Sequence, residues 1–395
     1  MVKSIVALIL SGGLLLAACS QPTPTLLPVR TQPTDVATAV EPSAIAPTTT
    51  SRPSPTASAT QEPLRTPLAP PMGFIAFEAF SQQDGIFIAR ADGSEGRQAI
   101  SGDAIFSGPV AWSPDGQAFY YLSDQGSVHG MLEVYRGDPA GLNLRRLTHD
   151  EFADSDIALS PDGTQLAYVS SRSIGPDRYQ KQLMLMSADG GRAHRLIDAP
   201  VDIGALNWST SGTALAFTAT TEGHADCPGL FVVRLPNEPT DIGGGRCHYG
   251  TPQWQPHADG ILTICQMPDP NGEIGVCLSD AMSGAQSLVV GGGVDAVVWD
   301  PAGANVAFIQ QLNDSKRSLC IAKSDGTAQE IVVSEYPVTF VGSDLVWSPD
   351  GAYIAYTAYD ASEHMGVYVV SVGGGEAKQL PLEVFSTIGK LSWHS

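Results

Sequence analysis

The chain has 395 residues, enough for two or three ordinary domains of about 150 residues each. It carries 21 Lys+Arg against 41 Asp+Glu, a net charge of −20, and such a chain repels phosphate backbones, so no nucleic-acid partner is expected. With 43% hydrophobic and 16% charged residues, 41 Gly and 29 Pro, the composition is globular and turn-rich and argues against a helical bundle or coiled coil. Six cysteines are too few for a disulfide-built scaffold.

Residues 1–18 read as an export signal. Lys3 precedes an apolar run from Ile5 to Ala18, shorter than the roughly 20 residues a spanning helix needs. The run ends Leu16-Ala17-Ala18-Cys19, which resembles the lipobox of bacterial lipoproteins. The resemblance implies that Cys19 is lipidated and becomes the new N-terminus. Acyl chains would then hold the mature protein on a membrane, in the extracytoplasmic cell envelope.

Residues 19–72 form the next segment, the lipidated cysteine followed by a linker. Residues 20–72 contain 12 Pro, 11 Thr and neither Gly nor aromatic residues, so nothing there can build a core. A disordered Pro/Thr-rich tether is expected, with a reach on the order of 160 Å at full polyproline extension.

Residues 73–395 form a repeat array. All six tryptophans fall in one phase: Trp112, Trp208, Trp254, Trp299, Trp347 and Trp393. Leu159 fills the vacant slot, giving successive spacings of 47, 49, 46, 45, 48 and 46. A period in the forties with strand-type sequence predicts propeller blades. Each unit opens with an apolar strand ending at the slot, as in Val110-Ala111-Trp112. A Ser-Pro-Asp-Gly turn follows at 113–116, 160–163 and 348–351. In it Pro presets the first position, Asp bonds its own backbone and Gly accepts positive φ. The recurrence of Asp115, Asp162 and Asp350 at one turn position marks them as structural. The second strand alternates bulky and small residues, as in Ile75-Ala76-Phe77 and Leu166-Ala167-Tyr168. Third and outer strands complete each unit.

The first unit lacks its inner strand, and Leu391-Ser392-Trp393-His394-Ser395 is an inner strand with no sequel. Residues 73–395 divide into seven units of about 46 residues, the observed period. The expected fold is therefore all-β: a seven-bladed β-propeller closed by the C-terminal strand. The Trp-Ser-Pro-Asp-Gly turn, the Ile-Ala-Tyr-type strand and the Ala-Asp-Gly turn together resemble the WD-like repeat of the TolB-type β-propeller family. The resemblance covers 73–395 and implies fold more than function.

No Gly-x-Ser-x-Gly elbow, Walker loop or His-Glu-x-x-His motif is present, and no cofactor or catalytic residue is assigned. Cys265 with Cys277 and Cys227 with Cys247 are expected as cross-strand disulfides, with Cys320 left as a buried thiol. The loops joining second to third strands, and those leading into each new blade, share one face of a propeller. Candidate ligand-face residues there are His129, His149, Asp150, Glu151, Asp154, His224, Asp226, His248, Glu273, Asp360 and His364, with Asp156 and Glu363 beside them. Residues 170–182 are expected to form a loop carrying Arg172, Arg178, Tyr179 and Lys181 next to the acidic 149–156 stretch. These histidines come from different blades, so no metal ligand set is assigned.

The residues point to a membrane-anchored binding or scaffold module for a protein, peptide or glycan. The alternative is a metal-assisted propeller enzyme acting on envelope or extracellular polysaccharide.

Overall fold

The computed structural model describes residues 70–395, apart from 81–83, 103, 176–177, 198–200, 222–225, 237, 267–271, 314–315, 338–343, 360–361, 363 and 383–384. The signal, Cys19 and most of the tether lie outside the described residues, as do His224, Asp360 and Glu363.

Seven antiparallel sheets follow one another along the chain. Blade 2 is typical, with strands Ala111–Trp112, Phe119–Ser123, Glu133–Gly137 and Arg145–Arg146 running from the channel outward. Blade 1 takes strands Phe74–Phe80, Gly85–Arg90 and Gly96–Ser101 from one end of the chain and Ser392–His394 from the other. Ile75 pairs with Trp393 in that sheet, and the ring is closed by this C-terminal strand.

The alternation of large and small residues on the second strands of blades 1, 3, 4, 6 and 7 is explained by what those strands face. Both faces of each are covered, so period-two amphipathicity is replaced by a size difference between faces. In blade 1, Ile75 and Phe77 join the core shared with blade 7, whereas Ala76 joins the core shared with blade 2. Leu215 and Phe217 face blade 3 while Ala216 faces blade 5. Val306 and Phe308 face blade 5 while Ala307 faces blade 7. In these blades bulky groups meet the preceding blade and alanine meets the following one, whereas Tyr120 of blade 2 and Leu262 of blade 5 put a bulky group on the following side.

The tryptophan phase has an equally local cause. The Trp208 indole N–H donates to the Ala158 carbonyl at 3.0 Å, that of Trp254 to Asn207 at 3.3 Å and that of Trp299 to Gln253 at 3.2 Å. Each acceptor lies one residue before the slot of the preceding blade. Trp112 continues the pattern across the closure, donating to Ser392 at 3.2 Å. Leu159 cannot donate, the buried Trp347 Nε1 has no acceptor and Trp393 donates elsewhere, so the ring of inter-blade bonds is incomplete at blades 1, 3 and 7. Trp393 instead reaches the Met72 carbonyl at 2.9 Å, which fastens the first described residues to the last strand.

The Ser-Pro-Asp-Gly turns are built by their own side chains. Ser113 Oγ donates to Asp115 Oδ1 at 2.6 Å, and the same carboxylate oxygen accepts from Gln117 N at 3.0 Å. The Ser160–Asp162 and Ser348–Asp350 pairs repeat this at 2.6 Å.

Candidate functional site

The inner strands of all seven blades enclose a cavity of about 510 Å³ on the ring axis. The position three residues before the tryptophan slot supplies part of its polar lining. That position holds Asp156 in blade 3, Thr251 in blade 5, Asp344 in blade 7 and Lys390 just before the closing strand. The rest of the wall mixes polar Asn207, Tyr249, Gln253 and Ser392 with apolar Val110, Ile157, Leu206, Val297, Leu345 and Leu391.

Burial sets the electrostatics of this lining. Asp156 is 8% exposed; its Oδ2 accepts from the Leu206 backbone N–H of the next blade at 3.1 Å, and its Oδ1 accepts from Ile157 N at 3.0 Å. Loss of water pushes its pKa up, with Lys390 and the two backbone donors opposing. Asp344 accepts from Leu391 N of the closing strand, and burial lifts it to about 6. Glu78 lies behind this layer. It accepts from Gly108 N at 3.2 Å and is lifted by burial to about 7, with Lys390 again opposing. Lys390 is exposed to the cavity and hydrogen-bonds Thr251 Oγ1 of blade 5, across the channel. Asp295, also in the lining, is taken up by an ion pair with Arg317.

The loop residues named from sequence are spread over blades 2, 3, 4, 5 and 7. His149, Glu151, Tyr179, Asp226, Glu273 and His364 are exposed. His129 stands largely in solvent with Nδ1 3.2 Å from Asp124 Oδ2. Among the described residues no group of three His, Cys, Asp or Glu side chains comes together in a way that could hold a metal.

Asp150 and Arg172 do meet, at 2.7 Å, and the Arg172 guanidinium also lies 4.7 Å over the Phe152 ring. The basic segment beside the acidic stretch is not a loop, however. Strands Gln165–Gly175 and Arg178–Ser187 pair as far as the Arg178–Gly175 rung, so most of 170–182 is the outer part of a long hairpin. The backbone bonds of the ladder outweigh the polar composition that suggested a loop.

Two candidates leave the ligand face. His248 is fully buried at the start of blade 5's inner strand. Its Nε2–H donates to the Gly243 carbonyl at 3.0 Å, and Nδ1 accepts from Thr263 Oγ1 at 2.8 Å. Burial lowers its pKa and keeps the ring neutral, so it ties blade 4's outgoing turn to blade 5. Asp154 is 2% exposed and opens blade 3's inner strand, accepting from Thr148 Oγ1 at 2.8 Å. Burial lifts its pKa to about 7, and nearby Glu133 and Asp150 add to the rise.

The cysteine pairs are joined in the structure. Cys265 and Cys277 are diagonal neighbours, since Cys277 lies opposite Thr263 and Cys265 opposite Gly275; their Cα atoms are 5.8 Å apart. Cys227 and Cys247 have Cα atoms 4.6 Å apart. Cys247 lies beyond the outer strand of blade 4, Thr240–Asp241. It immediately precedes His248–Trp254, so this bridge links blade 4 to the first strand of blade 5. Cys320 is a buried free thiol whose pKa is raised by burial.

The sequence reading passed over Asp344, Thr251 and Lys390. Their signal was the repeat phase itself, because each stands three residues before the slot.

No protein-family model matches the chain. Among solved structures, TolB from Acinetobacter baumannii superposes with a TM-score of 0.50 at 15% identity, over 81% of this chain and 66% of TolB. The fold is that of a TolB-like β-propeller. Oligogalacturonate lyase in complex with manganese matches this TolB-like propeller with a TM-score of 0.58, at 16% identity over 78% of this chain and 85% of the lyase. A puromycin hydrolase matches with a TM-score of 0.62, at 14% identity over 79% of this chain and 52% of the hydrolase. Two curated relatives align with parts of the chain. An uncharacterized protein of Agrobacterium fabrum, Atu1656, is 28% identical over 166 residues, 40% of this chain and 54% of that protein. The uncharacterized peptidase YuxL of Bacillus subtilis is 36% identical over 114 residues, 28% of this chain and 16% of YuxL. The chain thus matches about half the length of the first relative and a smaller part of the second.

Proposed function

We propose that this protein is an exported, lipid-anchored binding module of the cell envelope. Residues 1–18 direct export, Cys19 carries the lipid, and 20–72 tether a propeller head that binds a protein, peptide or glycan. The observation that carries this reading is the cavity on the ring axis, to which every blade contributes an inner strand. Strand-borne walls hold their polar groups in fixed positions, as a binding site requires.

The polysaccharide-enzyme alternative draws on likeness to oligogalacturonate lyase, and that likeness extends to the fold alone. Asp156 and Asp344 in the cavity wall oppose a uronate's negative charge, which favours the binding reading.

Two measurements test the proposal. Growth with an alkyne fatty acid should label the full chain, and Cys19→Ser should abolish the label; equal labelling of both would refute the anchor. Photo-crosslinking from Thr251 in the native envelope should yield a discrete adduct. Absence of any adduct from several cavity positions would refute the binding reading.

A further inference from the structure

We infer that the axial cavity accepts an arginine or lysine side chain presented by a partner polypeptide. This inference rests on the reading of the chain as a binding module and names the chemistry of its ligand.

The walls and the polar groups point to the same kind of guest. Asp156 and Asp344 reach the cavity from blades 3 and 7, and Glu78 lies behind them within reach of the Lys390 charge. Asp295 is already matched by Arg317, so it contributes little net charge. The residues from 73 onward hold 17 Lys+Arg and 38 Asp+Glu, a net −21, so the field of the whole head draws cations toward its openings. A bare metal ion would need several converging ligands, and the described residues offer no such group. A long cationic side chain suits the site better, because its methylene stem can lie along Val110, Leu206 and Val297 while its head meets the carboxylates.

The protein itself supplies the precedent. Lys390 places an aliphatic stem and an ammonium group in this space, and its head reaches Thr251 on the far side. Its charge is felt by Asp156, Asp344 and Glu78 alike. A second cation entering the cavity therefore competes with Lys390 for the same carboxylates.

The test uses the full chain and two pools of acetylated, amidated pentapeptides. One pool has arginine fixed at the centre; the other has citrulline, its neutral isostere. Binding is read by equilibrium dialysis with mass spectrometry at low ionic strength. The arginine pool should be retained at least fivefold over the citrulline pool. The combined Asp156→Asn, Asp344→Asn variant should bring that ratio below twofold, and Lys390→Met should raise it. Thermal unfolding of each variant checks that it folds; Lys390→Met, at an exposed position, keeps the test available if the double variant does not. Equal retention of the two pools, or retention of neither, overturns the inference. The photo-crosslinking result then decides the binding reading separately, because it does not depend on peptide charge.

Discussion

Replacing Asp154 by asparagine should stabilise the ring, and the gain should grow with pH. The carboxyl ionises near 3.8 in the unfolded chain and at about 7 in the fold, where burial dominates. Between those values the folded state holds a proton that the unfolded state has released. The native state therefore binds more protons, and stability falls as pH rises from the lower value toward the higher. The contribution is intact below about pH 4 and the loss is complete above about pH 7. The whole shift corresponds to about 4 kcal/mol, more than half of which falls between pH 5 and pH 8. Asparagine cannot ionise, yet its side-chain oxygen can still accept from Thr148 Oγ1, now at 2.8 Å from the carboxylate. Urea unfolding of wild type and Asp154→Asn at pH 5, 6, 7 and 8 measures the difference. The variant should gain roughly 2–3 kcal/mol relative to wild type across that range. A difference that stays constant with pH would refute the claim that burial holds the proton there.

Other outcomes follow from the closure and the inter-blade bonds. Gly73 has φ +89°, and a Cβ there would run into the His394 carbonyl oxygen, so Gly73→Ala should cost more than about 2 kcal/mol in chemical unfolding. Trp208→Phe removes the donor to Ala158 and should cost about 1–2 kcal/mol beyond its packing loss. Trp347→Phe should cost less, because that indole N–H has no acceptor to lose. Alkylation without reductant should leave Cys227, Cys247, Cys265 and Cys277 unmodified by mass spectrometry. Reducing the Cys227–Cys247 bridge, with its separation of 20 residues, should lower stability by about 3 kcal/mol, read as a shifted urea midpoint.

The sequence by itself determined the ring. A large apolar side chain, tryptophan in six slots and Leu159 in the seventh, recurs once per blade, so this phase carried both the period and the number of units. The turn chemistry and the large-small alternation were equally local, and so were legible. Hairpin length was not. The strands around residues 170–182 are polar in composition, and only the ladder between them reveals them as strands. Burial of His248 and Asp154 was hidden for a similar reason. Each is polar and next to a turn, and its partners, Gly243, Thr263 and Thr148, are fixed by how neighbouring strands pack. The tertiary structure alone decided the cavity. Asp156, Thr251, Asp344 and Lys390 are up to 234 residues apart in the chain, and share only a phase. Closing the ring turns that shared phase into shared space, where burial raises the pKa of Asp156 and Asp344 against the opposing charge of Lys390.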